Sequence, residues 1–257
     1  MSGKLVLAGG GKMGGALLAG WLNKGMGGTD IIVIEPDSKT ASAISEKHGV
    51  AVVEIVGDLD ADLTPETGVF AVKPQSMDDV APAYGGYAGP DTVFLSIAAG
   101  RTIAYFEDKL GPEAAIVRAM PNAPAAVGRG ITVAAANGQV TGQQKSRCDG
   151  LLGTVGDVAW IDDEGLMDAV TAVSGSGPAY VFLLAEVMTE AGEAEAHHAH
   201  EAAVEELATA HADGDRIGCH ERLRWCREDR NDLGAGRSGC RLHLTTGTSR
   251  LATAGEG

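Results

Sequence analysis

The sequence predicts a doubly wound α/β domain at the head of the chain, and three observations carry that prediction. Short, β-branched apolar runs recur eight times before residue 162, continuous rather than alternating, as suits strands of a parallel sheet covered on both faces. Helix-length segments separate several of them, and such alternation favours a doubly wound sheet. A glycine-rich turn directly follows the first run.

The first run, Leu5 to Ala8, leads through that turn into a helical pattern ending at Lys24. Further strand-like runs follow at Ile31 to Ile34, Val50 to Val53, Val69 to Val72 and Val93 to Ile97. The last three are Ile116 to Met120, Ile131 to Ala135 and Val158 to Ile161. Ser38 to His48 and Ser76 to Tyr84 have the length and composition of intervening helices.

In this setting Gly9-Gly10-Gly11-Lys12-Met13-Gly14 fits G-x-G-x-x-G between a strand and a helix, the Rossmann-type arrangement. Gly9 permits the tight turn, Gly11 lets backbone amides approach a pyrophosphate, and Gly14 lets helix and strand pack closely. Glu35 ends the second run 21 residues after Gly14, where a ribose-binding acid belongs. The competing reading is a plain glycine turn followed by a solvated glutamate. A carboxylate at Glu35 accepts bonds from a 2′-hydroxyl and repels a 2′-phosphate, whereas Ser38 and Lys39 just beyond suit the phosphate. NAD and NADP both remain open.

Composition excludes several function classes. A formal charge of -15 and a pI near 4.8 argue against nucleic acid or an anionic membrane as partner, because phosphate binding needs a basic face. No stretch approaches 18 uninterrupted apolar residues, so no membrane span is expected. The start lacks a charged segment followed by an apolar one, so a cytoplasmic protein without a signal peptide is expected. The four cysteines read as free thiols.

Four later stretches end strands in short loops or open a helix, and strand C-termini form the ligand crevice of such sheets. They are VFAVKPQ (Val69 to Gln75), FLSIAAG (Phe94 to Gly100), RAMPNAPAAVGRGITV (Arg118 to Val133) and DAVTAVSGSGPAYVFLLAEVM (Asp168 to Met188). Together with the glycine turn they resemble the pyrroline-5-carboxylate reductase family, whose members complete proline synthesis. The resemblance runs from about Lys4 to Gly192, with Ala123 standing where the family usually has threonine. A 3-hydroxyacid dehydrogenase relative shares G-x-G-x-M-G, but S-G-S-G-P-A-Y before a helix fits it less well.

The resemblance implies that Gly9, Gly10, Gly11, Lys12, Met13 and Gly14 bind the pyrophosphate of NADP or NAD, with Glu35 on the ribose. It implies that Ala71, Val72, Lys73 and Pro74 border the nicotinamide half, with Ala98, Ala99 and Asn122 near the same ring. It further implies that Ser174, Gly175, Ser176, Gly177, Pro178 and Ala179 form the substrate-carboxylate loop. The plainer alternatives are an interdomain linker with a helix cap for that loop and a solvated surface lysine for Lys73. The implied reaction is hydride transfer from NAD(P)H to the C=N carbon of 1-pyrroline-5-carboxylate, a cyclic imine carboxylate, giving L-proline. A protonated imine is already electrophilic, so no residue is assigned as catalytic acid. The implied architecture adds an all-α C-terminal dimerisation domain, incomplete or aberrant here, and a homo-oligomer that the tail puts in doubt.

Domains are therefore expected at 1–163 (dinucleotide-binding), 164–192 (start of the helical substrate and dimerisation domain) and 193–257 (atypical tail). All eight lysines lie at or before Lys145, while residues 193–257 hold eight arginines, six of seven histidines and one of eleven aromatics. Translation of a GC-rich coding sequence in a shifted frame near Gly192 has this signature, with genuine divergence the other reading. The Gly-Gly-Thr-Thr-type loop that should complete the imine site is missing from HLTTGTSRLATAGEG. An alternative function is thus a chain that binds cofactor but is catalytically impaired. Helix is expected from Glu193 to Ala212 and disorder beyond His211. His197, His198 and His200, or Cys219, His220, Cys226, Cys240 and His243, lack paired C-x₂-C spacing, so no metal is expected.

Overall fold

The computed structural model describes residues 4–60 and 62–212, with side chains described to residue 198. The chain divides into two units, Met1–Glu190 and Ala191–Gly257. The first contains an eight-stranded sheet in the order β3 (Ala51–Val53), β2 (Ile31–Ile34), β1 (Leu5–Ala8), β4 (Thr67–Phe70), β5 (Val93–Ser96), β6 (Ala115–Met120), β7 (Gly130–Ala136) and β8 (Gly156–Trp160).

β1 (Leu5–Ala8) is wholly buried and lies between β2 (Ile31–Ile34) and β4 (Thr67–Phe70), parallel to both. Its side chains alternate between two cores. Leu5 and Leu7 join Leu17, Leu18 and Trp21, whereas Val6 and Ala8 join Phe70, Met77 and Tyr84. A strand apolar on both faces needs cover on both, and this one has it.

α1 (Lys12–Asn23) buries Leu17, Leu18 and Trp21, and the indole Nε1 of Trp21 donates to the Leu151 carbonyl at 3.0 Å. α2 (Ser38–His48) is capped by Asp37 and stopped by Gly49 in the left-handed region. β3 (Ala51–Val53) is the edge strand on that side. β4 starts and ends two residues earlier than Val69 to Val72, the run read from the sequence. Thr67 and Gly68 pair with Leu5 and Val6, and a Cβ on Gly68 would press within 3.0 Å of the Phe94 ring. Strand propensity points away from glycine here; tertiary packing overrides it.

Ser76 to Tyr84 is a broken helix. A 3₁₀ turn (Pro74–Ser76), the single-turn α3 (Met77–Val80) and a second 3₁₀ stretch (Ala81–Tyr87) replace one regular helix. Pro82 has no N–H to donate, which explains the break. β5 (Val93–Ser96), α4 (Ile103–Leu110) and β6 (Ala115–Met120) complete the parallel part.

β7 (Gly130–Ala136) then runs antiparallel to β6, so the sheet is mixed rather than wholly parallel. The nine-residue connection from 121 to 129 is shorter than a parallel crossover requires. α5 (Gly142–Leu152) carries the chain to β8 (Gly156–Trp160), parallel to β7. The short α6 (Met167–Val170) and a π-helical turn (Thr171–Gly175) precede α7 (Gly177–Ala212). The disorder expected beyond His211 falls almost wholly outside the described residues.

One stretch, Glu164–His198, is long and apolar enough by length and composition to cross a membrane, with mean hydropathy 1.3 over 18 residues and none of that window buried. Counting uninterrupted apolar residues does not register it, because small and weakly polar residues break the run while the mean over the window stays high.

Candidate functional site

The glycine turn leaves β1 and enters α1 with little room for side chains. Gly9 has φ +96°, in the region that favours glycine, and its amide donates to the Ile34 carbonyl at 2.9 Å. A Cβ on Gly14 would come within 2.1 Å of the Gly9 carbonyl oxygen, so helix and turn touch backbone to backbone. Gly11 differs. It is the N-cap of α1 without a side-chain hydrogen bond, and a Cβ there would meet nothing within 4 Å. The N-terminus of this 12-residue helix thus begins at an open position with no acidic residue in the first turn, a geometry that fits an anion. Lys12 is exposed beside this opening, and Met13 packs partly onto the core.

Glu35 is held from two sides. Its Oε2 accepts from the Gly10 amide at 2.8 Å, and its Oε1 accepts from the Asp37 amide at 3.0 Å. Asp37 in turn accepts from the Thr40 amide and hydroxyl at 2.8 and 2.6 Å, bonds that hold its carboxyl below the usual range. The Gly9 turn, Glu35, Ala71, Val72 and Lys73 border one cleft of about 740 Å³. The cleft has room for a dinucleotide, and its glycine cradle fits the phosphate end of one.

Lys73 is exposed at the strand end, and Pro74 opens the following 3₁₀ turn. That turn is clamped by a residue that motif reading passed over. Arg101 Nε and Nη2 donate to the Pro74 carbonyl at 3.0 and 2.6 Å, and Nη2 also reaches Asp78 Oδ2 at 3.0 Å. The guanidinium lies 4.5 Å from the Tyr105 ring centroid, and Tyr105 donates to Asp78 Oδ1 at 2.9 Å. Chiefly through that hydroxyl bond, the Asp78 carboxyl is held low. Ala98 is buried and Ala99 exposed after β5, and neither borders the cleft.

Asn122 connects two predicted groups. Its Oδ1 accepts from the Ile131 amide at 3.0 Å, which turns its Nδ2 toward Ser174 Oγ at 3.3 Å. Gly175 lies so close to Met120 that a Cβ would fall 2.6 Å from the methyl carbon. Ser174, Gly175 and Ser176 do not form the open turn read from the sequence. The Ser176 amide donates to the Thr171 carbonyl at 2.9 Å, closing a π-helical turn, and Gly177, Pro178 and Ala179 begin α7. Fewer amides are left exposed than an open turn would offer. Glu164 Oε1 accepts both from buried Arg118 at 2.7 Å and from the Ile103 amide at 2.9 Å, tying the end of β6 to the approach to α6.

Sequence reading missed Ile55, Val56, Val80, Ala83 and Tyr84, which form the apolar end of the cleft. They come from separate segments brought together only by the sheet order, so no local motif marks them. Among the described residues no group of three or more His, Cys, Asp or Glu is placed to hold a metal ion. Cys219, His220, Cys226, Cys240 and His243 lie outside the described residues, as does the His200 side chain.

Similarities to known proteins cover both the sheet and the helical end of the chain. Residues 4–100 match a family model described as NADP oxidoreductase, coenzyme F420-dependent, and 164–214 match one described as pyrroline-5-carboxylate reductase dimerisation. The second match extends 22 residues past Gly192 (214 − 192). Among solved structures, a Coxiella burnetii pyrroline-5-carboxylate reductase is 28% identical, with TM-score 0.68, over 90% of this chain and 92% of that one. A Plasmodium falciparum pyrroline carboxylate reductase solved with NADP bound shares the fold at 24% identity and TM-score 0.66, over 90% of each chain. A Mycobacterium tuberculosis pyrroline-5-carboxylate reductase is 40% identical over 195 residues, 74% of this chain and 65% of the relative. Nothing in these similarities supports the impaired, non-catalytic alternative. The Pseudomonas aeruginosa pyrroline-5-carboxylate reductase is 39% identical over 190 residues, 74% of this chain and 69% of that one, and the chain belongs to this family of NAD(P)H-dependent oxidoreductases.

Proposed function

We propose that this chain reduces 1-pyrroline-5-carboxylate to L-proline, taking a hydride from NADPH or NADH in the last step of proline biosynthesis. The observation that carries the reading is the Asn122 to Ser174 hydrogen bond at 3.3 Å. It links the loop after β6 in the nucleotide-binding sheet to the segment that opens the helical domain. Cofactor and substrate must meet at such a junction for hydride transfer to occur.

The turn Gly9, Gly10, Gly11, Lys12, Met13 and Gly14 holds the pyrophosphate at the N-terminus of α1 through the amides from Gly11 onward, those of Gly9 and Gly10 being taken by Ile34 and Glu35, and Glu35 faces the adenosine ribose. Ala71, Val72, Lys73 and Pro74 border the nicotinamide half, with the Pro74 carbonyl held by Arg101. The family resemblance adds Ala98, Ala99 and Asn122 near the ring, although Ala98 and Ala99 do not line the cleft itself. Ser174 to Ala179 receive the substrate carboxylate. The bound cofactor supplies the hydride; these side chains supply orientation and exclude water. Because the protonated imine is already electrophilic, the site needs no dedicated acid.

A second copy of the chain is the natural cover for the apolar stretch Glu164–His198, because the dimerisation match at 164–214 overlaps it. A homo-oligomer in the cytoplasm goes with this reading. The test is imine-dependent oxidation of NADH and NADPH by the full chain, with proline identified as product. Cofactor binding without imine-dependent turnover would overturn it.

A further inference from the structure

We propose that Glu35 makes this chain select NADH over NADPH, an inference that rests on the reductase reading above. The argument concerns how the carboxylate is held. Oε2 takes the Gly10 amide at 2.8 Å and Oε1 the Asp37 amide at 3.0 Å. A glutamate on a free arm swings aside when a 2′-phosphate arrives. This one is fastened at both oxygens to backbone, one amide in the glycine turn and the other just ahead of α2. Swinging it out would leave both amides without their acceptor, so the negative group stays beside the ribose edge of the cleft.

The surroundings add to the discrimination. A carboxylate carries about four lone-pair sites, so two remain for a ribose hydroxyl after both amides are satisfied. A 2′-phosphate has only acceptors to offer and meets like charge instead. Asp37, the next acid, is turned to Thr40, and Glu54 borders the same cleft. The cations nearby in the chain, Lys39 in the first turn of α2, Lys12 at the glycine turn and Lys73 on the cleft border, are all exposed. An exposed ammonium is screened by solvent, whereas the fixed, partly buried carboxylate is screened less.

The experiment measures dissociation constants for NADH and NADPH, by nicotinamide fluorescence and calorimetry, on the full chain and on Glu35→Gln, Glu35→Ser and Lys39→Ala. The wild type is expected to hold NADH at least about tenfold more tightly. Both Glu35 variants should narrow that ratio, chiefly by gaining NADPH affinity, while Lys39→Ala leaves it unchanged. Glu35→Gln preserves the side-chain volume and one acceptor oxygen, which guards against a turn that merely loosens in Glu35→Ser. Three results overturn the inference while leaving the reductase reading intact. They are equal or tighter NADPH binding by the wild type, an equal loss of both cofactors in the Glu35 variants, or a selective NADPH loss in Lys39→Ala. If the wild type binds neither cofactor, both the inference and the reading fall.

Discussion

At Gly11 the chain turns into α1 at φ −64°, a conformation open to any residue, with nothing within 4 Å of the missing side chain. A side chain there therefore starts into open space. The cost to stability should stay below about 1 kcal/mol, the usual range for losing a favourable N-cap residue. The same side chain would project into the cradle that receives the pyrophosphate, and cofactor affinity should fall at least about tenfold. Thermal melting and calorimetry on Gly11→Leu check the two halves separately, and unchanged affinity would remove the phosphate from this turn. Tyr84 offers a second test. Its ring meets Phe70 edge-on at 4.9 Å, and its buried hydroxyl has no hydrogen-bond partner among the described residues. Burial pushes its pKa well up, so the phenol stays protonated. Removing an unsatisfied buried hydroxyl is neutral or favourable, so Tyr84→Phe should gain up to about 1 kcal/mol in urea unfolding. A loss of that size would mean that the hydroxyl has a partner. The glycines and Glu35 were legible because each acts through its immediate chain neighbours or at a fixed spacing. Arg101 was not, because its acceptor at Pro74 is 27 residues away and no local pattern announces it.

Among the secondary elements, all eight sheet strands were legible, because a continuous β-branched run has few other places to go in a covered sheet. What failed was determined elsewhere in the molecule. β4 begins at Thr67 and Gly68, where the absent side chain of Gly68 leaves room for the Phe94 ring. β7 reversed direction because the connection from β6 is short. The Ser-Gly-Ser-Gly segment closed into a π turn because the Thr171 carbonyl captures the Ser176 amide. α5 shows the opposite case, an element whose start is written locally. Thr141 Oγ1 accepts from the Gln144 amide at 3.2 Å, and Gln144 Oε1 accepts from the Thr141 amide at 2.9 Å, a reciprocal capping box. Gln144 is 4% exposed, and its Nε2 donates to the Pro90 carbonyl at 3.1 Å, so the cap also anchors the helix to the loop before β5. Thr141→Ala should cost about 1 kcal/mol in urea unfolding, with cofactor binding unchanged. A far smaller loss would mean that packing of Leu151 and Leu152 alone fixes α5.

For the molecule as a whole, α7 sets the strongest demand. Tyr180, Val181, Phe182, Leu183 and Leu184 are consecutive and between 57% and 66% exposed, and Val187 and Met188 continue the pattern at 52% and 65%. Successive helical residues are about 100° apart, so five in a row point to every side of the helix. A helix apolar all round belongs inside a bundle, and one flat partner surface would leave half of it wet. Interlocking with a second copy covers all sides at once. Burial is worth about 1.5–3 kcal/mol for each large apolar side chain. Seven such residues in each subunit, each already more than half exposed, supply the apolar surface that must offset the roughly 4–15 kcal/mol that association costs. The chain should accordingly sediment as a dimer or larger closed assembly at micromolar concentration. Leu184→Lys would bury an unpaired ammonium in that interface and should shift the distribution to monomer, weakening turnover more than cofactor binding, since the glycine cradle lies far off in the sequence. Sedimentation velocity on both proteins decides the matter: a monomeric wild type, or a variant that assembles equally well, would show that something other than a second copy covers α7.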